Sequence, residues 1–248
     1  TISRGSRYSF SKDKKTMRLF LHWKNQNKYN KNDERNRVDV DLSVIGLDED
    51  CKKVMEVSYT NLKFRDGVFH SGDITSAPKG ASEFIDINVD KCQKEGMRYI
   101  MMSVFSFTDQ PFSEIPECFA GIMMRQKANS GEIFEPKTVN NKLNLTSNSQ
   151  ICIPLIVDLQ KKQVIWTDLG LNRHLNSSNN LHNNMSSLQI VAKAMINLNK
   201  PNLYDLFKLH AEARGELVEN KEDADIVFGI NEGITPFDSE IIVADYIK

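Results

Sequence analysis

Two acidic residues set two apart, in Val38-Asp39-Val40-Asp41-Leu42-Ser43, are the first place where the side chains of this protein suggest chemistry. In an extended strand, residues i and i+2 point to the same side. Asp39, Asp41 and Ser43 therefore share one face, while Val38, Val40 and Leu42 share the other. Carboxylates in that relation lie roughly 7 Å apart and repel each other. Two readings are open: a solvated strand face, or a site at which a divalent cation removes the repulsion and takes the oxygen ligands that hard cations prefer. The spacing of Asp39, Asp41 and Ser43 matches the first ligands of an EF-hand, but that motif fails here. Its sixth position is Val44 instead of Gly, its twelfth is Asp50 instead of Glu, and its flanks read as strand. Any cation site must therefore be discontinuous.

A second stretch supplies further ligands. In "HSGDITSAPKGASEF" (70–84), Asp73 follows Gly72, where the chain can turn tightly, and Glu83 closes the loop before "FIDI" resumes alternation. Ser71, Thr75 and Ser82 offer hydroxyl oxygens, and Asn61, after the strand ending at Tyr59, is a weaker candidate. Calcium takes ~6–8 oxygens from mixed carboxylates and carbonyls, which is the inventory these segments hold, whereas magnesium demands stricter octahedral geometry. Plain turn chemistry by His70 and the neighbouring hydroxyls is the competing reading of this loop.

Other chemistry finds little support. The sequence contains no Gly-x-Ser-x-Gly, no His-Glu-x-x-His, no phosphate-binding Gly-Lys-Ser/Thr loop and no dinucleotide fingerprint. The histidines (His22, His70, His174, His182, His210) have no consistent partner, and Trp23 and Trp166 read as core or rim residues. Cys51, Cys92, Cys118 and Cys152 are widely spaced without a Cys-x-x-Cys, which argues against zinc and fits a reducing compartment. Lys and Arg number 32 against 33 Asp and Glu, giving net charge −1, so no basic excess favours nucleic acid. No apolar run approaches the ~20 residues of a membrane helix. No signal peptide is visible, although the chain opens at Thr1 instead of Met, consistent with an upstream portion having been removed.

The elements that must position these residues are mostly strands. Short runs rich in Val, Ile, Phe and Met fall at 16–23, 38–47, 53–59, 67–72, 83–89, 98–107, 118–126, 151–159 and 161–171, separated by turn material. With no helical pattern between them, they predict an antiparallel β-sandwich over residues 1–171. Residues 112–119 read as a short helical turn. The Asn/Ser-rich stretch 172–187 is the expected linker. Beyond it, residues 188–248 read as a small α/β extension. One helix begins with Ser186 or Ser187 as N-cap, and a second has Pro201 near its first turn and Gly215 as its stop. A buried strand is expected at 223–230, and a closing helix over 235–248. The whole is mainly β.

The segments "VDVDLSVIGLDED", "NLKFRDGVFHSGDIT", "EFIDINV" and "PFSEIPECFAGIMM" occur in the order and spacing of the TerD-type stress-protein family of bacterial tellurium-resistance systems, which this chain resembles over approximately residues 17 to 171. The resemblance implies a calcium-binding β-sandwich acting in cytoplasmic stress response, not an established enzyme. By position it assigns Asp39 and Asp41 to the family's acidic strand, Asp73 to its Gly-Asp and Glu83 to the end of its acidic loop. The loop departs from the pattern. Where usual members carry a run of acids and glycines, this chain has "GDITSAPKGASE", with Lys79 in the middle. Fewer carboxylates imply weaker binding or fewer ions.

The expectation is therefore a sandwich that binds Ca²⁺ through Asp39, Asp41, Asp73 and Glu83, with Ser43, Asn61, Ser71, Thr75 and Ser82 as lesser candidates. Its partners would be other proteins of a stress or defence system. A metal-independent interaction module is the alternative. A hydrolase using a metal-activated water is a third reading, which requires an open metal position beside a pocket.

Overall fold

The computed structural model describes residues 4–10, 14–30, 33–126, 128, 139–171, 185–198 and 202–247. It divides into two compact units, Thr1–Leu198 and Asn199–Lys248. The first is a sandwich of two antiparallel six-stranded sheets. One sheet runs in the order β1 (Arg7–Ser9), β12 (Gln163–Leu171), β11 (Ile151–Asp158), β8 (Tyr99–Ser106), β3 (Val40–Leu47), β4 (Lys53–Val57). The other runs β10 (Val139–Asn144), β9 (Cys118–Arg125), β2 (Thr16–Trp23), β7 (Ala81–Asn88), β6 (Val68–His70), β5 (Lys63–Phe64).

Alternation builds the interior. Val40, Leu42 and Val44 of β3 meet Met17, Leu19 and Leu21 of β2, Ile85 and Ile87 of β7 and Ile122 of β9 in one buried cluster. The expected mainly β, antiparallel architecture is thus what forms. Trp23 and Trp166 belong to this core, and all four cysteines are free and buried. Residues 112–119 contain the expected helical turn at Phe112–Glu114.

The other face of β3 continues from Asp39, Asp41 and Ser43 into Ile45 and Leu47. Those two join Tyr99, Met101, Ile153, Ile156 and Ile165 in a second apolar cluster. Helix α2 (Met185–Asn197) covers it with Leu188, Ala192 and Met195, three residues at helical spacing. This places α2 in the sandwich unit, so the compact units part at 198/199 and not at the 172–187 stretch, of which residues 172–184 lie outside the described residues, with His174 and His182. Ser186 and Ser187 lie inside the first turn of α2 and not at its N-cap.

Several elements escaped the sequence reading, among them the short strands β1 and β5. A short helix, α1 (Val89–Lys94), follows β7 directly, capped by the Asn88 side chain on the Lys91 N–H. The edge strand β10 carries the polar sequence VNNKLN.

The second unit contains helix α3 (Leu203–Arg214), capped by Asn202 on the Asp205 N–H, with Gly215 at its end as expected. Helix α4 (Ser239–Ile241) continues as a π-helical turn, Ile242–Tyr246. Phe207 stacks on Phe228 at 4.0 Å, and Tyr246 meets both rings edge-on. The strand expected at 223–230 does not form. Only isolated bridges from Phe228 to Gly233 and Ile234 are present, and Ile226 and Ile230 are exposed. Among the described residues of this unit nothing offers the segment a strand to pair with, so its apolar run has no ladder to join.

Candidate functional site

The site is organised around an edge that β4 leaves open. β4 pairs with Val44–Leu47 of β3 but stops at Val57, short of the first half of β3. On that side Leu42 presents its N–H and C=O with no strand opposite. An unpaired buried backbone group is costly, so each needs a partner from elsewhere. Two buried side chains of the other sheet supply them. Glu83 of β7 accepts from the Leu42 N–H through Oε2 at 3.0 Å, and His70 of β6 donates from Nε2 to the Leu42 carbonyl at 2.9 Å.

His70 is held in one tautomer. Its Nδ1 accepts from the Gly72 N–H at 3.0 Å, which leaves the proton on Nε2, facing the carbonyl. Burial keeps its pKa below the ordinary histidine value, so the ring is neutral. Oε2 of Glu83, 3.7 Å away, therefore faces a dipole and not a cation. Gly72 makes this turn at φ +111°, a region that side-chain-bearing residues rarely enter. The His-Ser-Gly sequence thus closes a small hydrogen-bonded clasp on β3.

Glu83 is fully buried, and its other oxygen accepts from the Ile74 N–H at 2.9 Å. One carboxylate thereby ties β3 to the loop that carries Asp73. Burial pushes its pKa up to about 8. The two N–H donors act against that shift, while Asp41 and Asp73 add to it. The loop has further anchors. Asn25 accepts from the N–H groups of Val38 and Ala77 through one oxygen, and Ala77 is buried in the sandwich core. The 71–80 segment is therefore not an ordinary solvated turn.

These ties bring Asp73 to Asp39 and Asp41. One carboxylate oxygen from each of the three lies within 4.8 Å of the others. Asp39 and Asp41 are only 3% and 4% exposed, so the strand face is not a solvated one. Asp39 Oδ2 accepts from Arg37 Nη2 at 2.6 Å, but Asp39 Oδ1 and Asp41 Oδ2 are buried with no hydrogen-bond partner. Burial raises the Asp41 pKa to about 7, with Asp39 and Asp73 adding to the shift. Burial also raises that of Asp39, against the opposing effect of Arg37. Tyr59 feels the same three charges. A calcium ion with oxygens at roughly 2.3–2.6 Å has a coordination sphere about 4.6–5.2 Å across, which accommodates three oxygens within 4.8 Å of one another. Orphaned, buried, acceptor-only oxygens are the donor set a hard cation would use.

No protein-family model and no curated protein matches this sequence. Among solved structures, the sandwich is similar to a homologue of telluride resistance protein (TerD) from Streptomyces coelicolor A3(2). That structure is 9% identical, with a TM-score of 0.51, over 65% of this chain and 93% of that one. The sandwich has the TerD fold. A second crystal structure, of a protein of unknown function, is 13% identical over 66% of this chain and all of that one, with a TM-score of 0.46.

The other candidates occupy varied places in this TerD-like sandwich. Ser43 is buried on the Asp39–Asp41 face of β3. Ser71 Oγ accepts from the Phe84 N–H, prolonging the β6–β7 ladder, and Ser82 Oγ meets His22 Nδ1 at 2.9 Å. Asn61 turns its amide to the Glu56 carbonyl, and the Thr75 carbonyl receives Arg37 Nε. Glu83 lies beside the three-aspartate cluster, with both oxygens engaged by backbone N–H groups. Arg37, which sequence reasoning missed, is the ion-pair partner of Asp39; its position two residues earlier on an extended segment was the available signal.

Proposed function

We propose that this chain is a calcium-binding, non-catalytic protein of the TerD-like stress-response type. The ion joins Asp39, the residue before β3, and Asp41 of β3 to Asp73 of the 71–80 loop and so fixes a surface for a partner protein. One observation carries the reading: two buried carboxylate oxygens, Asp39 Oδ1 and Asp41 Oδ2, lack any hydrogen-bond partner beside a third acid. Likeness of fold to a telluride-resistance homologue supports the stress context. The hydroxyls and amide of Ser71, Ser82 and Asn61 are engaged elsewhere, which supports a small ligand set and modest affinity.

Thermal melting tests this directly. At a calcium concentration a hundredfold above Kd, binding to the folded state alone adds about 2.7 kcal/mol. For a chain of this size that is a rise of about 5–10 °C over the chelated protein. The Asp39→Ala/Asp73→Ala double variant should show no rise. A wild-type melting temperature indifferent to calcium would contradict the reading and favour a metal-independent interaction module.

A further inference from the structure

Three carboxylates converge on this site, yet among the described residues no Lys or Arg pairs with Asp41 or Asp73. Among the described residues, the cation held against the cluster is Arg37. Its Nη2 donates to Asp39 Oδ2 at 2.6 Å, and its Nε donates to the Thr75 carbonyl at 2.7 Å. A single planar guanidinium therefore spans β3 and the 71–80 loop, the same two elements that a bound cation would join. We infer that Arg37 is a tethered counter-ion of the aspartate cluster, which holds the loop when no divalent cation is present and lowers the site's cation affinity by competing for Asp39. This rests on the calcium-binding reading above and adds a determinant of its strength.

The placement is well supported. Arg37 sits at the end of a 3₁₀ turn (Glu34–Asn36), where its N–H donates to the Glu34 carbonyl at 2.9 Å. Its own carbonyl accepts from Gln110 Nε2 at 3.0 Å. With the backbone pinned on both sides, little freedom is lost in aiming the side chain. Its fork geometry allows two acceptors to be met at once, which a lysine ammonium does less well. The two ends of the pair differ in environment. The Asp39 side chain is 4% exposed and the Arg37 side chain 44%. The guanidinium can therefore withdraw into water while the carboxylate stays, as a displaceable counter-ion requires. Arg37 engages only Asp39 Oδ2, so Oδ1 is left for a ligand. A divalent ion arriving there would meet a positive charge already held on the same carboxylate. It must either share Asp39 with Arg37 or drive the guanidinium out, and both weaken binding.

The test compares wild type with Arg37→Gln, which removes the charge and leaves a shorter polar side chain that ends near the position of the arginine Nε. Calcium is titrated by calorimetry into metal-free protein, and melting is followed in chelator. Arg37→Gln should bind calcium about tenfold more tightly than wild type and melt at a lower temperature in chelator. Arg37→Lys, which keeps the charge, should stay near wild-type calcium affinity. If wild type binds calcium and Arg37→Gln binds equally or more weakly, this inference is overturned and the calcium reading stands. If neither protein binds calcium, both are overturned. An Arg37→Gln variant that melts at or above wild type in chelator removes the counter-ion role whether or not calcium binds.

Discussion

Glu83→Ala is expected to lose about 2–6 kcal/mol of stability, about 1–3 for each of two buried N–H groups left without an acceptor. Those donors are Leu42, at the open edge of β3, and Ile74, beside Asp73. The substitution also opens a hole at a position with no solvent exposure. Glu83→Gln should fall between alanine and wild type, because its carbonyl can keep one N–H while its amide faces the other. Urea unfolding measures both. Because Glu83 holds Ile74, the alanine variant should in addition lose calcium affinity through misplacement of Asp73. If both variants unfold within about 0.5 kcal/mol of wild type, Glu83 is not the cross-link between β3 and the loop.

Asp41→Asn has the opposite sign. Asp41 is buried, has an oxygen without a partner, and faces Asp39 and Asp73 across the cluster. In chelator its charge is a liability, so the nearly isosteric amide should raise the melting temperature. A gain of about 1–2 kcal/mol, typical of relieving a buried like-charge contact, corresponds to about 2–8 °C in a chain of this length. The same variant should lose most of the calcium-induced rise, since a carboxylate ligand has been removed. Wild type and variant would therefore cross: the variant is more stable without calcium and the wild type gains more with it. A variant that is less stable in chelator would show that Asp41 is a structural acceptor instead of a ligand in waiting.

Much of this could be read from residue order, because it depends on local periodicity. Val38, Val40 and Leu42 alternate with Asp39, Asp41 and Ser43, and one set is in the core while the other forms the acidic face. Gly215 ends α3 as expected, a stop that needs no tertiary context. What was not legible depends on where elements stop. Glu83 reads as one more ligand, but its role follows from β4 ending before Leu42, which leaves a backbone N–H to satisfy. No local pattern reports a shortfall of strand on a neighbouring edge. Among the described residues VNNKLN forms an edge strand, where polar residues are tolerated, and "DADIVFGI" has no strand to pair with. Burial of a segment is decided by partners, not by its own composition. The same holds for α2, whose apolar stripe marked a helix but not the sheet it covers.

The central claim is that one cation joins β3 to the 71–80 loop. Diffraction from crystals grown in calcium, with anomalous differences recorded, tests it most directly. A single anomalous peak is expected about 2.3–2.6 Å from carboxylate oxygens of Asp39, Asp41 and Asp73. A peak elsewhere, or none at the cluster in calcium-saturated crystals, would contradict it.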